Sequence, residues 1–243
     1  MFALRPCYGT PMTLRQQKRA VVLASGGLDS TVAAGIAREE GYALYLLTIQ
    51  YGQRHGVEVE RARQIAAALG AAGHLVCGLD LRAIGGSALT ADLAVPKDRK
   101  EADRSQGIPV TYVPGRNLIF LSLAAAHAEV VAAEAIYFGA NVLDYSGYPD
   151  CRPEFLRAFE AVVKEGTKAG VEGKGLRVMT PLLNLTKADI IRRGVALKLS
   201  LELTHSCYDP VGELACGRCD SCLIRRDGFA KAGVVDPTAY AVT

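Results

Sequence analysis

The chain has 243 residues, half of them hydrophobic and 22% charged, with a formal net charge of +3 at pH 7. That length buries the core of one main domain with a small appendage, and the composition excludes a disordered interaction tail. The slight positive excess supplies no clustered basic face, no apolar run reaches the roughly 18 residues of a membrane helix, and the N-terminus lacks signal-peptide order, so a cytoplasmic protein without nucleic-acid or membrane partners is expected.

Residues 1–18 mix Pro, Gly, Arg and Gln without periodicity and are expected to form a mobile extension, with Met12 an alternative start. From Ala20 the pattern sharpens. Val21, Val22 and Leu23 form a short apolar strand, a glycine turn follows, and helix formers run from Thr31 to Glu40 until Gly41 stops them. A second strand from Ala43 to Ile49 leads through a Tyr51-Gly52 turn into a helix from Val57 to Leu69 and a strand near Leu75 to Leu81. A long helix from Asn117 to Ala133 precedes a strand from Ala135 to Phe138, a helix from Pro153 to Lys164, a strand near Val178 and a helix after Thr186 with Asp189 at capping-box spacing. The alternation predicts a doubly wound α/β fold with a mainly parallel sheet covered on both faces. Two stretches break the rhythm: Arg82 to Tyr112, and Gly166 to Gly175 with its four glycines. Lys164, Lys168 and Lys174 around the second make it a candidate lid over phosphates.

The first strand-to-helix turn of an open α/β sheet is where backbone N–H groups converge on phosphate oxygens. Ser25-Gly26-Gly27-Leu28-Asp29-Ser30 occupies that turn. Gly26 and Gly27 permit close approach, and Ser25, Ser30 and Thr31 supply hydroxyls at the helix start. The turn lacks the lysine of GxxxxGK[ST] and is not GxGxxG. Read alone, it is explained as well by a helix capped by Asp29 and Ser30 as by an anion seat.

Seven cysteines make an odd set, with Cys7, Cys77 and Cys151 apart and four crowded from Cys207 to Cys222, which is not a disulfide framework. Cys207, Cys216, Cys219 and Cys222 follow C-x8-C-x2-C-x2-C, a spacing that suits a closed, structural tetrahedral Zn2+ site, with an iron–sulfur cluster as the competing reading. Gly217 lets the loop turn its N–H groups towards the sulfurs, and Arg218, Arg225 and Arg226 are placed to offset thiolate charge. His205 is read as a non-ligand.

Ser-Gly-Gly-x-Asp-Ser resembles the pyrophosphate loop of the N-type ATP pyrophosphatases. That resemblance implies the adenine nucleotide alpha hydrolase-like fold and a loop, Ala24 to Ala34, that grips the β- and γ-phosphates of ATP. It covers Ala24, Ser25, Gly26, Gly27, Leu28, Asp29, Ser30, Thr31, Val32, Ala33 and Ala34, with Ser25, Asp29 and Ser30 as the catalytic set and Asp29 orienting the loop or helping to hold Mg2+. The loop and the late cysteines share one chain with Tyr51-Gly52-Gln53-Arg54-His55, Val113-Pro114-Gly115-Arg116-Asn117, Asp144-Tyr145-Ser146-Gly147-Tyr148-Pro149-Asp150-Cys151-Arg152, Thr180-Pro181-Leu182, Leu185-Thr186-Lys187-Ala188 and Asp236-Pro237-Thr238. Together these resemble the 7-cyano-7-deazaguanine synthases from about Lys18 to Tyr240.

The family resemblance implies ATP-dependent conversion of 7-carboxy-7-deazaguanine and ammonia to the nitrile through an activated carboxylate and an amide, on the route to queuosine. It implies ATP as co-substrate with Mg2+, one structural Zn2+, a homodimer, an ATP-binding domain over 19–200 and a zinc-binding segment over 201–243. Arg116, Asn117, Asp144, Tyr145 and Asp150 are the implied substrate residues. Arg116 suits a carboxylate or phosphate in a bidentate pair, although it is also readable as a surface residue beside a helix start capped by Asn117. Asp144 and Asp150 would meet the guanine-like edge, Tyr145 or Tyr148 would stack on its ring, Gln50, Tyr51 and Gln53 would border the adenine, and His55 would act nearby, although a lone histidine also reads as structural. Without the resemblance, the Asp144 to Arg152 stretch reads as a turn-rich loop. The rival enzyme is a tRNA-modifying ATP pyrophosphatase, which needs a basic surface that the net charge does not supply.

Overall fold

The computed structural model describes residues 17–52, 56–100, 103, 107–143 and 148–241. The first sixteen residues, Gln53, His55, Asp144 and Tyr145 lie outside that set, so the expectations placed on them are not addressed by the fold. Five strands, β1 (Arg19–Leu23), β2 (Ala43–Gln50), β3 (Gly73–Gly78), β4 (Ala135–Tyr137) and β5 (Arg177–Met179), form one all-parallel sheet in the order β3-β2-β1-β4-β5. The seven described α-helices are α1 (Leu28–Glu39), α2 (Val57–Leu69), α3 (Arg116–Val130), α4 (Pro153–Gly166), α5 (Lys168–Val171), α6 (Lys187–Ala196) and α7 (Asp220–Ala232).

The apolar runs are explained by burial on both faces of the sheet. On β1, Ala20 and Val22 point into a core shared with Val32 and Ile36 of α1, Ile65 of α2, Ile190 and Ile191 of α6, and Phe229 of α7. Val21 and Leu23 point the other way, against Leu121 and Ala125 of α3 and Phe159 and Val163 of α4. Phe229 therefore ties the C-terminal segment into the main core. The helices end where their sequences say they should: Gly70 and Gly233 close α2 and α7 in the left-handed region at φ of 64° and 71°. Thr186 caps α6, its hydroxyl accepting from Asp189 N at 3.2 Å.

Three expectations are corrected. Helix α1 starts at Leu28 rather than Thr31, because Gly27 is its N-cap, with no side-chain cap; Asp29 and Ser30 are not caps. Helix α3 is preceded by Gly115 at φ 64°, so Asn117 lies inside the first turn and does not cap it. The Gly166 to Gly175 stretch is not a phosphate lid. It is the end of α4 and the short α5, where Thr167 caps through Gly170 N and Ala169 N donates to Glu129 near the end of α3. Those contacts sit at the end of the sheet from which β5 enters, whereas ligands of such sheets bind beyond the strands' carboxyl ends. Lys168 and Lys174 pair there with Glu172.

Candidate active site

The chain leaves β1 towards β2 and leaves β4 towards β5, in opposite directions across the sheet. Beyond the adjacent carboxyl ends of β1 and β4 lies the switch point at which doubly wound sheets hold ligands. A cavity of about 280 Å3 opens there. Its floor is the turn after β1: Ala24, Ser25, Gly27, Leu28, Asp29 and Ser30 all line it.

The turn is braced by its own hydroxyls. Ser25 N donates to Ser30 Oγ at 3.2 Å, Gly27 N donates to Ser25 Oγ at 3.3 Å, and the Ser30 and Thr31 hydroxyls both donate to Gly27 O, at 3.0 and 2.8 Å. Two close approaches demand glycine. Gly26 adopts φ 76°, and a Cβ there would stand 2.4 Å from Glu58 O; a Cβ on Gly139, just after β4, would stand 3.0 Å from both Asp29 C and Ser30 N. The far side of the turn is held by backbone, with His205 N donating to Gly26 O at 2.9 Å.

Asp29 does not stand free for a metal. Lys187, the first residue of α6, places Nζ 2.7 and 2.8 Å from its two oxygens, and the Lys187 side chain is 12% exposed. Asp29 thus orients a cation beside the helix start. A lysine so placed can neutralise phosphate charge where the turn's N–H groups and the α1 dipole also favour an anion. Val32, Ala33 and Ala34, expected to meet the nucleotide, are packed in the core and do not reach the cavity, nor does Thr31 line it.

The rest of the lining is rich in aromatic side chains and carries a second cation. Tyr51, Phe120, Phe138, Tyr148 and Tyr208 line it around Arg116. Burial works against the Arg116 charge, and a hydrogen bond with the Tyr51 hydroxyl helps to keep it. Burial likewise raises Tyr51, so it stays a neutral phenol. Asp150 was expected at the substrate edge and is not there: it is buried behind the wall and accepts from Asn117 N at 3.0 Å and Asn117 Nδ2 at 3.1 Å. Asn117 and Cys151 do line the cavity, and Asn117 Nδ2 also donates to Cys151 Sγ at 3.3 Å. Burial pushes the Cys151 thiol up to about 12, which makes it a poor nucleophile at neutral pH. Tyr148 also meets Thr111, with the hydroxyl oxygens 3.2 Å apart.

The four cysteines are buried, and their sulfurs all lie within 4.8 Å of one another. Three separations are 3.5, 4.0 and 4.0 Å. Thiolates 2.3 Å from one tetrahedral zinc stand about 3.8 Å apart, so the set fits a single ion. Backbone donors complete the fit: Asp209 N and Cys216 N donate to Cys207 Sγ, and Arg218 N and Cys219 N donate to Cys216 Sγ, with Gly217 at φ 76° making the turn. The arginines expected to offset the charge are engaged elsewhere. Arg218 pairs with Asp98, Arg225 with Asp236, and Arg226 lies over the Tyr240 ring. The Arg82 to Tyr112 stretch is a strap on this knuckle: Ala88 and Val95 pack with the cysteines, while Leu89 lines the cavity.

Of the expected site residues, the structure brings Ala24, Ser25, Gly27, Leu28, Asp29, Ser30, Arg116 and Asn117 to the cavity and gathers the four cysteines, while Gly139, Lys187 and Tyr208 were not among those expected. Lys187 was visible within Leu185-Thr186-Lys187-Ala188 but read only as the start of a capped helix. Gly139 carried no signal beyond its place after a strand.

A five-stranded parallel sheet with this turn at its switch point is the pyrophosphate-loop nucleotide-binding fold. Among solved structures, a 4-thiouridine synthetase in complex with RNA and with bound ATP superposes with a TM-score of 0.52 over 92% of this chain and 47% of that one, at 20% identity. The family model described as "Queuosine biosynthesis protein QueC" matches residues 19–233, and the chain belongs to that family. It is 60% identical to the 7-cyano-7-deazaguanine synthase of Anaeromyxobacter dehalogenans strain 2CP-C over 93% of this chain and 97% of that protein. It is 59% identical to that of Myxococcus xanthus strain DK1622 over 92% and 97%. No helix among the described residues is long and apolar enough to cross a membrane.

Proposed function

We propose that the protein converts 7-carboxy-7-deazaguanine, ammonia and ATP into 7-cyano-7-deazaguanine. The observation that carries this reading is one cavity lined both by a phosphate-suited turn with Lys187 and by an aromatic cluster bearing Arg116. A carboxylate oxygen is a poor leaving group until a phosphorus group of ATP is transferred to it. Ammonia then displaces the activated oxygen to give the amide. A second activation of the amide oxygen, with loss of two protons from nitrogen, leaves the nitrile. In each activation negative charge builds on the departing phosphates. The N–H groups at the start of α1, the Ser25 hydroxyl and Lys187 are arranged to receive it.

The cysteine knuckle would hold one Zn2+, which supplies a closed structural cross-link and leaves no position for water. Mg2+ would arrive with the triphosphate, since Asp29 is committed to Lys187 and the four cysteines form the sole cluster of metal-ligating residues among those described. A homodimer and a cytoplasmic location belong to the same proposal; light scattering on the purified protein checks the first. Incubation with 7-carboxy-7-deazaguanine, ammonium and Mg-ATP, read by mass spectrometry, tests the activity. Absence of an ATP-dependent nitrile product overturns it.

A further inference from the structure

Resting on that substrate reading, we propose that Arg116 anchors the carboxylate of 7-carboxy-7-deazaguanine and that Asp150 is a positioning residue that orients Arg116 through Asn117. The cavity holds two cations with different surroundings. Lys187 carries its own counter-ion, Asp29, at the phosphate turn. Arg116 has none among the described residues: it is half-buried, its partners are the Tyr51 hydroxyl and Asn117 Oδ1 at 3.4 Å from Nε, and its guanidinium lies 6.0 Å from the Tyr51 ring centroid. A guanidinium held among phenols and phenylalanines, short of a carboxylate, is a fork awaiting a planar anion. The flat carboxylate on the substrate's ring matches that fork in a bidentate pair. The phosphates, tetrahedral and mobile, match the point charge of lysine beside the phosphate turn.

The fork is aimed by a buried amide. The Asp150 carboxylate only accepts, so it takes Asn117 N and fixes Nδ2 towards itself, with Cys151 Sγ sharing the same Nδ2. Oδ1 of Asn117 must then face the other way, towards Arg116 Nε. Replacing Asp150 with Asn would present an amide N–H2 to Asn117 Nδ2. The relief is an Asn117 flip, which turns a donor on Arg116 and pushes the guanidinium off its line.

Calorimetry with 7-carboxy-7-deazaguanine, 7-deazaguanine and a non-hydrolysable ATP analogue tests the anchor. In Arg116→Gln the acid should lose about 10- to 100-fold in affinity, the value of a charge-assisted pair, while the other two ligands change less than threefold. Arg116→Lys should recover part of the loss. Steady-state kinetics and calorimetry test the positioning: Asp150→Asn should raise KM for the acid about tenfold with kcat nearly unchanged, while its affinity for 7-deazaguanine changes less than threefold. Loss of ATP-analogue affinity in Arg116→Gln, or equal loss of acid and 7-deazaguanine, overturns the anchor. Equal loss of acid and 7-deazaguanine in Asp150→Asn overturns the positioning role. Wild-type protein that fails to bind the acid at all overturns the substrate reading and the anchor together, whereas an Arg116→Gln variant that binds it normally overturns the anchor alone.

Discussion

Gly139→Ala isolates the contact between β4 and the phosphate turn. Gly139 is not among the glycines with positive φ, so alanine fits its backbone and the only cost is space. The new Cβ would stand 3.0 Å from Asp29 C and Ser30 N and 3.2 Å from Asp29 O. These contacts are tighter than ordinary van der Waals separation, so one side must yield by a few tenths of an ångström. Strand β4 is bonded to β1 and β5 and cannot move alone, which leaves the turn to shift. Overpacking of this size costs about 1–3 kcal/mol, or roughly 2–10 °C in melting temperature for a chain of this length. A displacement near 1 Å in a positioning element costs up to about 100-fold in rate, and a few tenths of that cost less. Turnover should therefore fall about 3- to 10-fold, with weaker binding of a non-hydrolysable ATP analogue and near-wild-type circular dichroism. Gly166→Ala, where a Cβ meets nothing within 4 Å, is the control and should change neither. A Gly139→Ala protein with a lowered melting temperature but turnover and analogue affinity within twofold of wild type would refute the coupling.

Lys187→Met should leave the Asp29 carboxylate facing incoming phosphates, costing about 1–2 kcal/mol of stability and at least tenfold in ATP-analogue affinity by calorimetry, whereas Lys187→Arg should retain part of both. One metal ion per chain is expected by elemental analysis of the purified protein, and Cys219→Ser should abolish it together with either solubility or several degrees of melting temperature. Cys151 binds its proton more tightly when folded, because burial raises its thiol to about 12. The stability linked to it is full below the ordinary thiol value near 8.5 and is lost as pH rises towards the folded value, so urea midpoints should drop more steeply between pH 8 and 10 for wild type than for Cys151→Ala.

The fold was legible because burial on both faces leaves unbroken apolar runs such as Ala20 to Leu23, and because glycines such as Gly70 punctuate the helix ends. The phosphate turn was legible for a local reason: Ser25, Gly26, Gly27 and Ser30 satisfy one another within six residues. What was not legible is long-range. The Asp29 to Lys187 pair spans 158 positions and Asn117 to Asp150 spans 33, so an acid that reads as a metal ligand or a substrate acceptor turns out to be matched to a partner elsewhere in the chain. Gly139 is demanded by a turn more than a hundred residues away, a demand that no local pattern records. The Gly166 to Gly175 stretch misled because its glycines serve a tight helix-to-helix corner: a Cβ on Gly170 would stand 2.2 Å from Lys164 O.

The cysteine knuckle is better understood as part of the nucleotide site than as an appendage. His205, whose N–H holds Gly26 O, stands two residues before Cys207, whose sulfur accepts from Cys216 N within the cluster. Cys219 is the N-cap of α7, and Ser221, Ile224 and Arg225 on the first turns of that helix face the cavity. Arg225 in turn donates to Thr204 Oγ1 at 2.8 Å, fixing the chain just before His205 from the other side. The strap is tied to the same knuckle by Lys97 to Asp209 at 2.8 Å and Arg99 to Asp220 at 3.0 Å. A closed tetrahedral ion here would fix four chain positions at once. Two of the segments that leave the knuckle, through His205 to the phosphate turn and through the strap to Leu89, reach the lining of one cavity. Closing four thiolates around one ion would therefore hold those two parts of the lining in register, a constraint that a displacement between two bound molecules requires.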